Sequence, residues 1–180
     1  MSTLHLRQRL VDIAKRDVGK VEISHNRAPW ISKFWSATDY PNGHRDRAPY
    51  CASAVAYWVR EWLKDKEVLA ALNMTPDAAE KWRCKSAAAF AWNTWAVKKK
   101  LFVIKEQQDR LTGKPRQRLR VGDLFIFDMS HIGIVTDDVS NIVRTVEANT
   151  GANGSRDGDG CFEKQRDRKM ARFFVRLMDP

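Results

Sequence analysis

A chain of 180 residues with 43% hydrophobic and 10% aromatic side chains carries enough apolar surface to bury a substantial core, which excludes a disordered tail and points to one domain over residues 1–180. Its three cysteines lack C-x-x-C spacing and a Cys/His cluster, which argues against a disulfide framework and against a structural metal. The formal charge of +10 points instead to an anionic partner or environment, with nucleic acid, anionic lipid and bacterial wall polymer all qualifying. The chain opens Met1-Ser2-Thr3-Leu4-His5-Leu6-Arg7 with no apolar run long enough for a signal-peptide core or a membrane span. A soluble monomer made in the cytoplasm, without a membrane span, is expected.

In chain order, Leu4, Leu6, Leu10, Val11, Ile13, Ala14 and Val18 recur at helical spacing, and Gly19 ends the pattern as a C-terminal cap. Residues 29–35 read as a short helix with Pro29 near its start, and 40–44 as a loop that delivers the chain to Cys51. From Cys51 to about Lys66, Ala52, Val55, Ala56, Val59 and Leu63 form a buried stripe on a helix that begins at or beside the cysteine. Two more helical stretches follow, 75–85 and 86–97, the second with Ser86 as its N-cap. The period then changes. Residues 101–104, 124–127, 131–136, 142–147, 160–164 and 172–177 are short β-branched or aromatic runs separated by turn residues. Helices first and antiparallel strands second predict an α+β domain, with N-terminal helices packed on a C-terminal antiparallel β-sheet.

The chemistry-bearing residues follow the order Cys51, His131, Glu147, Asn149. A helix N-terminus and a neighbouring imidazole are the two devices that turn a thiol into a nucleophilic thiolate, and this order offers both. The imidazole must also hand its proton to a leaving amine, which requires an acceptor that fixes its tautomer and orientation. Glu147 and Asn149 both qualify, because residues two apart on a strand share a face. Taken singly, a cysteine on a helix is more often a small core residue and a histidine heading an apolar strand more often structural. The ordered combination changes that balance.

Three segments, Pro49-Tyr50-Cys51-Ala52-Ser53-Ala54-Val55-Ala56-Tyr57-Trp58, Val121-Gly122-Asp123-Leu124-Phe125-Ile126-Phe127 with His131-Ile132-Gly133-Ile134-Val135, and Val146-Glu147-Ala148-Asn149-Thr150, resemble the CHAP domain (cysteine, histidine-dependent amidohydrolase/peptidase) within the papain-like group that includes NlpC/P60 enzymes. Ile13-Ala14, Val18 to Glu22, Asn26 and the stretch from Gly154-Ser155 to Arg166 also look like phage and prophage members. The resemblance covers most of the chain and is weakest between Asp65 and Arg120. It implies a papain-like fold in which Cys51 attacks an amide carbonyl of peptidoglycan, His131 acts as general base and then acid, and Glu147 or Asn149 orients His131. Some members bind calcium, but no cofactor is expected here. Tyr50 stands where many members have Trp or Gln, which leaves the second oxyanion donor open beside the amide of Cys51. An enzyme of this kind lacking an export signal reaches the wall by holin-assisted release or through a secretion apparatus.

Among the seven tryptophans, Trp58, Trp62, Trp92 and Trp95 fall at core spacing, while Trp30 and Trp35, with Tyr50, are candidate substrate contacts in a glycan or stem-peptide groove. His25, His44, Cys84 and Cys161 lack partners in the pattern and read as loop or packing residues. Asp157-Gly158-Asp159-Gly160 reads as a turn, since it lacks the further spaced ligands of a calcium loop. The basic stretches 98–120 and 164–176 read as solvated faces, without a nucleic-acid-binding motif. Two alternatives stay open: an inactive basic binding module for wall polymer or nucleic acid, and a cysteine protease acting on a protein amide.

Overall fold

The computed structural model of the protein describes residues 2–113, 117–153 and 158–178. Lys114 and Arg116 of the first basic stretch, Gly154 and Ser155 of the phage-like stretch, and Asp157 of the acidic turn lie outside them.

Helix α1 (Thr3–Lys15) buries Leu6, Leu10, Val11 and Ala14 along one stripe. It ends short of the expected Gly19, because Asp17 and Val18 close tighter turns onto Ala14 and Lys15. Gly19 then takes φ +84° and donates its N–H to the Cys161 carbonyl, a left-handed conformation suited to glycine. Buried Asp17 accepts from the Trp58 indole (2.9 Å) and from the ammonium groups of Lys20 and Lys33. A 3₁₀ turn (Pro29–Ile31) leads into α2 (Ser32–Trp35), and a second 3₁₀ turn (Pro41–His44) occupies the expected loop.

Helix α3 (Cys51–Trp62) is almost wholly buried. It stops before Lys66 because the Asp65 side chain accepts from Glu67 N–H and starts a separate helix, α4 (Lys66–Ala71). Thr75 caps α5 (Pro76–Trp82) in the same way. Helix α6 (Ala91–Lys98) begins five residues later than expected. Ser86 turns back to accept from Ala88 N–H (3.1 Å), so residues 86–90 form an irregular wall and not a helical turn.

All the expected strands are present: β1 (Phe102–Ile104), β2 (Leu124–Phe127), β3 (Ile132–Val139), β4 (Ile142–Thr150), β5 (Gly160–Asp167) and β6 (Ala171–Arg176). They form one six-stranded sheet in the order β1-β6-β2-β3-β4-β5, with every pairing antiparallel. The protein is thus mixed helix and strand, with helices first and the antiparallel sheet second. Ile132, Ile134, Val146 and Ala148 join the helical core on one face of the sheet. Phe125, Phe127, Val135, Val143 and Phe174 form a second apolar cluster on the other.

Helix α7 (Glu106–Leu111) has no apolar stripe that would announce it. It is tied down by buried Glu106, which accepts from Arg168 (2.9 Å), while Arg168 also reaches Asp138 (3.1 Å) and the Gln117 carbonyl (2.7 Å). Arg176 likewise sits buried on Asp123. The basic stretch 164–176 is therefore not a solvated face throughout, since Arg166, Arg168 and Arg176 point inward onto carboxylates. Among the described residues no helix is long and apolar enough to cross a membrane. Replacing Arg168 by Met strands Glu106 without its cation, and urea unfolding should register a loss of about 3–5 kcal/mol. Adding Glu106→Gln to that variant should restore part of the loss.

Candidate active site

Pro49 and Tyr50 bring the chain out of the 3₁₀ turn at 41–44, and Cys51 is the first residue of α3. Tyr50 is the N-cap but makes no side-chain cap, so the leading amides of the helix are not covered by a capping oxygen. The helix is anchored behind the thiol by small residues, Ala52, Ala54 and Ala56, which let it sit close against α1, α2 and the sheet. Cys51 is 6% exposed at the floor of a groove of about 580 Å³.

His131 arrives by the β2–β3 hairpin. Its loop closes with Phe127 N–H donating to the His131 carbonyl (2.9 Å) and with Ser130 at φ +59°, a left-handed position at the end of a three-residue connection. The pairing of Gly133 with Glu147 places Asn149 directly across from His131 in a regular ladder, with Glu147 on the diagonal. A bulge reverses this preference. The register between β4 and β5 slips between Ala148 and Thr150, and Asn149 takes φ +57°. The diagonal Glu147 then reaches the ring, with His131 Nε2 donating to Glu147 Oε2 (2.9 Å). It crosses over Gly133, where a Cβ would stand 2.6 Å from Glu147 Cγ and 3.0 Å from the Val146 carbonyl oxygen.

Glu147 is fully buried, and its carboxylate is saturated with donors. Arg166 donates through Nε to Oε1 (2.9 Å) and through Nη2 to Oε2 (2.5 Å), and Thr145 Oγ1 donates to Oε1 (2.6 Å). Arg166 also donates to Thr150 Oγ1 (3.1 Å) and lies over the Phe127 ring. Burial by itself would raise the Glu147 pKa, but Arg166 and then His131 outweigh it and hold the carboxyl at about 2. Burial by itself would lower the His131 pKa, but the hydrogen bonds and charges of Cys51 and Glu147 carry it to about 9. The imidazole is thus held between thiol and carboxylate, with Nε2 taken by Glu147 and Nδ1 left for the thiol. The two shifts favour the fold in different windows. The His131 contribution is complete below its unfolded value near 6.5 and is lost as pH rises through about 9. That of Glu147 is complete above about 4.5 and is lost as pH falls towards 2.

The structure brings Cys51, His131 and Asn149 to the lining of one groove, with Glu147 behind His131. Trp35 is in that lining as well. Tyr50 and Trp30 are not: Tyr50 is completely buried and packs against Trp30 and Phe34, so both rings support the wall from behind. The opposite wall is built by Lys85 to Ala89, and Asp39 and Tyr40 line the groove beside Trp35. Thr145, Arg166 and Gly133 were not singled out by sequence. Arg166 sits in Glu163-Lys164-Gln165-Arg166-Asp167-Arg168, where nothing in the pattern separates an inward arginine from solvated neighbours. Trp58, Trp62 and Trp92 are buried in the core, and Cys84 and Cys161 are buried with their thiols pushed up by desolvation, Cys84 to about 11. His44 bonds the Ala28 carbonyl oxygen (3.1 Å), away from the groove lining. No group of three or more metal-ligating side chains occurs among the described residues.

No protein-family model matches the chain, and neither the curated proteins nor the solved structures include a match to it.

Gly133→Ala should be far more damaging than an exposed Gly→Ala change, because the added methyl meets both the Glu147 side chain and the β4 backbone. Thermal unfolding should show a loss of about 1–3 kcal/mol, the usual scale for overpacking. The His131 ring resonances should shift with it.

Proposed function

We propose that the protein is a cysteine hydrolase that cleaves an amide bond of bacterial cell wall peptide through an acyl-enzyme, on a papain-like fold of the CHAP type. The observation that carries this reading is the chain of contacts from Cys51 at the start of α3 through His131 to a Glu147 carboxylate locked by Arg166. That chain has the nucleophile, base and orienter that acyl transfer needs.

In this reading the Cys51 Sγ attacks the amide carbonyl while its proton rests on His131 Nδ1. The oxyanion that forms is met by the Cys51 backbone N–H at the uncapped start of α3. His131 then gives its proton to the departing amine as the C–N bond breaks, leaving a thioester on Cys51. A water molecule that delivers its proton to His131 attacks the thioester, releases the carboxylic acid and regenerates the thiol. Glu147 stays ionised throughout and steadies the imidazolium. Asn149, displaced from His131 by the bulge, faces the groove as a substrate contact.

The net charge of +10 suits approach to an anionic wall, and the groove volume suits a short peptide segment. The scissile bond is either the N-acetylmuramoyl-L-alanine linkage or one in the stem or cross-bridge.

Mass spectrometry of purified peptidoglycan after incubation tests this directly. Wild type should release fragments with a new amine and a new carboxylate at one linkage, and Cys51→Ala should release none above background. Undiminished digestion by Cys51→Ala would refute the reading, and cleavage of protein substrates alone would move it to protease chemistry.

A further inference from the structure

The groove holds a charge that the chemistry above does not use. Asp39 lines it with an exposed side chain, and among the described residues that carboxylate has no hydrogen-bond or ion-pair partner. Its backbone is fixed, because Asp39 N–H donates to the Lys85 carbonyl (2.9 Å) and so ties this edge of the groove to the facing wall. The one lysine in the lining does not neutralise it. Lys85 Nζ is paired with Glu80 Oε1 (2.9 Å), and Glu80 is held by Arg83 as well, which with Lys85 brings its carboxyl to about 2. Cys51 and His131 balance each other as a thiol–imidazole pair. Asp39 is therefore a carboxylate of the groove lining that stands without a partner among the described residues, in a protein whose overall charge is +10.

Beside the carboxylate stand two aromatic rings. Tyr40 is 42% exposed and meets buried Trp35 edge to face at 5.7 Å between centroids. Its hydroxyl donates to Asp46 (2.6 Å), which anchors the ring at the groove edge. A carboxylate next to an aromatic face is the combination that binds an ammonium group, by charge and by the ring quadrupole. Long-range steering would repel a cation from so basic a protein, so the pair acts as a short-range selector and not as an attractor.

We propose that Asp39 and Tyr40 form a subsite for a primary ammonium group on the substrate, so that the enzyme selects peptides with a free amine within the groove's reach of the scissile amide. This rests on the hydrolase reading above and names the substrate feature that the same groove recognises. Asp39 is a specificity residue that does not touch the reacting atoms.

The test uses a synthetic stem tetrapeptide containing lysine, in free-amine form and with its amines acetylated. Binding is measured calorimetrically to the Cys51→Ala protein, and kcat/KM is measured with wild type. The free-amine peptide should bind about tenfold more tightly than the acetylated one, the scale of a single partly exposed charge contact. Asp39→Asn should remove that difference by weakening only the free-amine peptide, and Asp39→Glu should restore part of it. Equal binding of the two peptides, or a preference that survives Asp39→Asn, overturns the subsite. Hydrolysis of both at equal kcat/KM overturns it while leaving the hydrolase reading standing. Amine-dependent binding without hydrolysis by wild type supports the subsite and overturns the hydrolase reading, and neither binding nor hydrolysis overturns both.

Discussion

A single carboxylate, Glu147, sets the arrangement of everything around it. It is buried in the middle of a sheet and accepts from His131, Thr145 and both arms of Arg166. An ionised carboxylate in such a place is tolerated only when its lone pairs are met, and each donor is consequently held in a fixed position. The imidazole cannot swing away without leaving an unmet charge behind it. The thiol on the other side of the ring therefore faces an imidazole held in one orientation.

The same constraint explains two backbone features. Glu147 passes over Gly133, where a side chain would clash, and Asn149 leaves the regular ladder at a bulge, which leaves the ring to Glu147. The bulge moves Asn149 from competitor for His131 to lining of the groove. Behind the other wall, Tyr50 and Trp30 fill the space under the start of α3, so the position of the thiol is set by aromatic packing. Asp39 and Tyr40 line the groove at its other edge.

Much of the architecture was legible in sequence because period and turn chemistry agreed. Leu124–Phe127, His131–Thr136 and Ile142–Glu147 announced their strands by composition, and Cys51 at a loop-to-helix boundary announced its helix start. What the pattern did not contain was competition between local hydrogen bonds. Asp65 and Ser86 each redirect a nearby amide; the first starts a separate helix where the expected one was to end, and the second delays another. Helix α7 was silent because an ion pair and not an apolar stripe holds it. The orienting role was ambiguous between Glu147 and Asn149 for a related reason: alternation puts both on one face, and only the bulge, invisible in composition, separates them. The arginines were misread for want of any local signal that a carboxylate waited inside.

The measurement closest to the central claim is an NMR titration of the His131 ring in wild type and in Glu147→Gln. With the imidazolium held between Cys51 and an ionised Glu147, the wild-type transition should fall near pH 9, so that the ring is still charged at pH 8. In Glu147→Gln it should move down by more than one pH unit, because burial remains and, of the two groups that raise it, Cys51 and Glu147, the carboxylate is gone. A wild-type transition at or below the ordinary value near 6.5, or a transition that does not move in Glu147→Gln, would contradict the account.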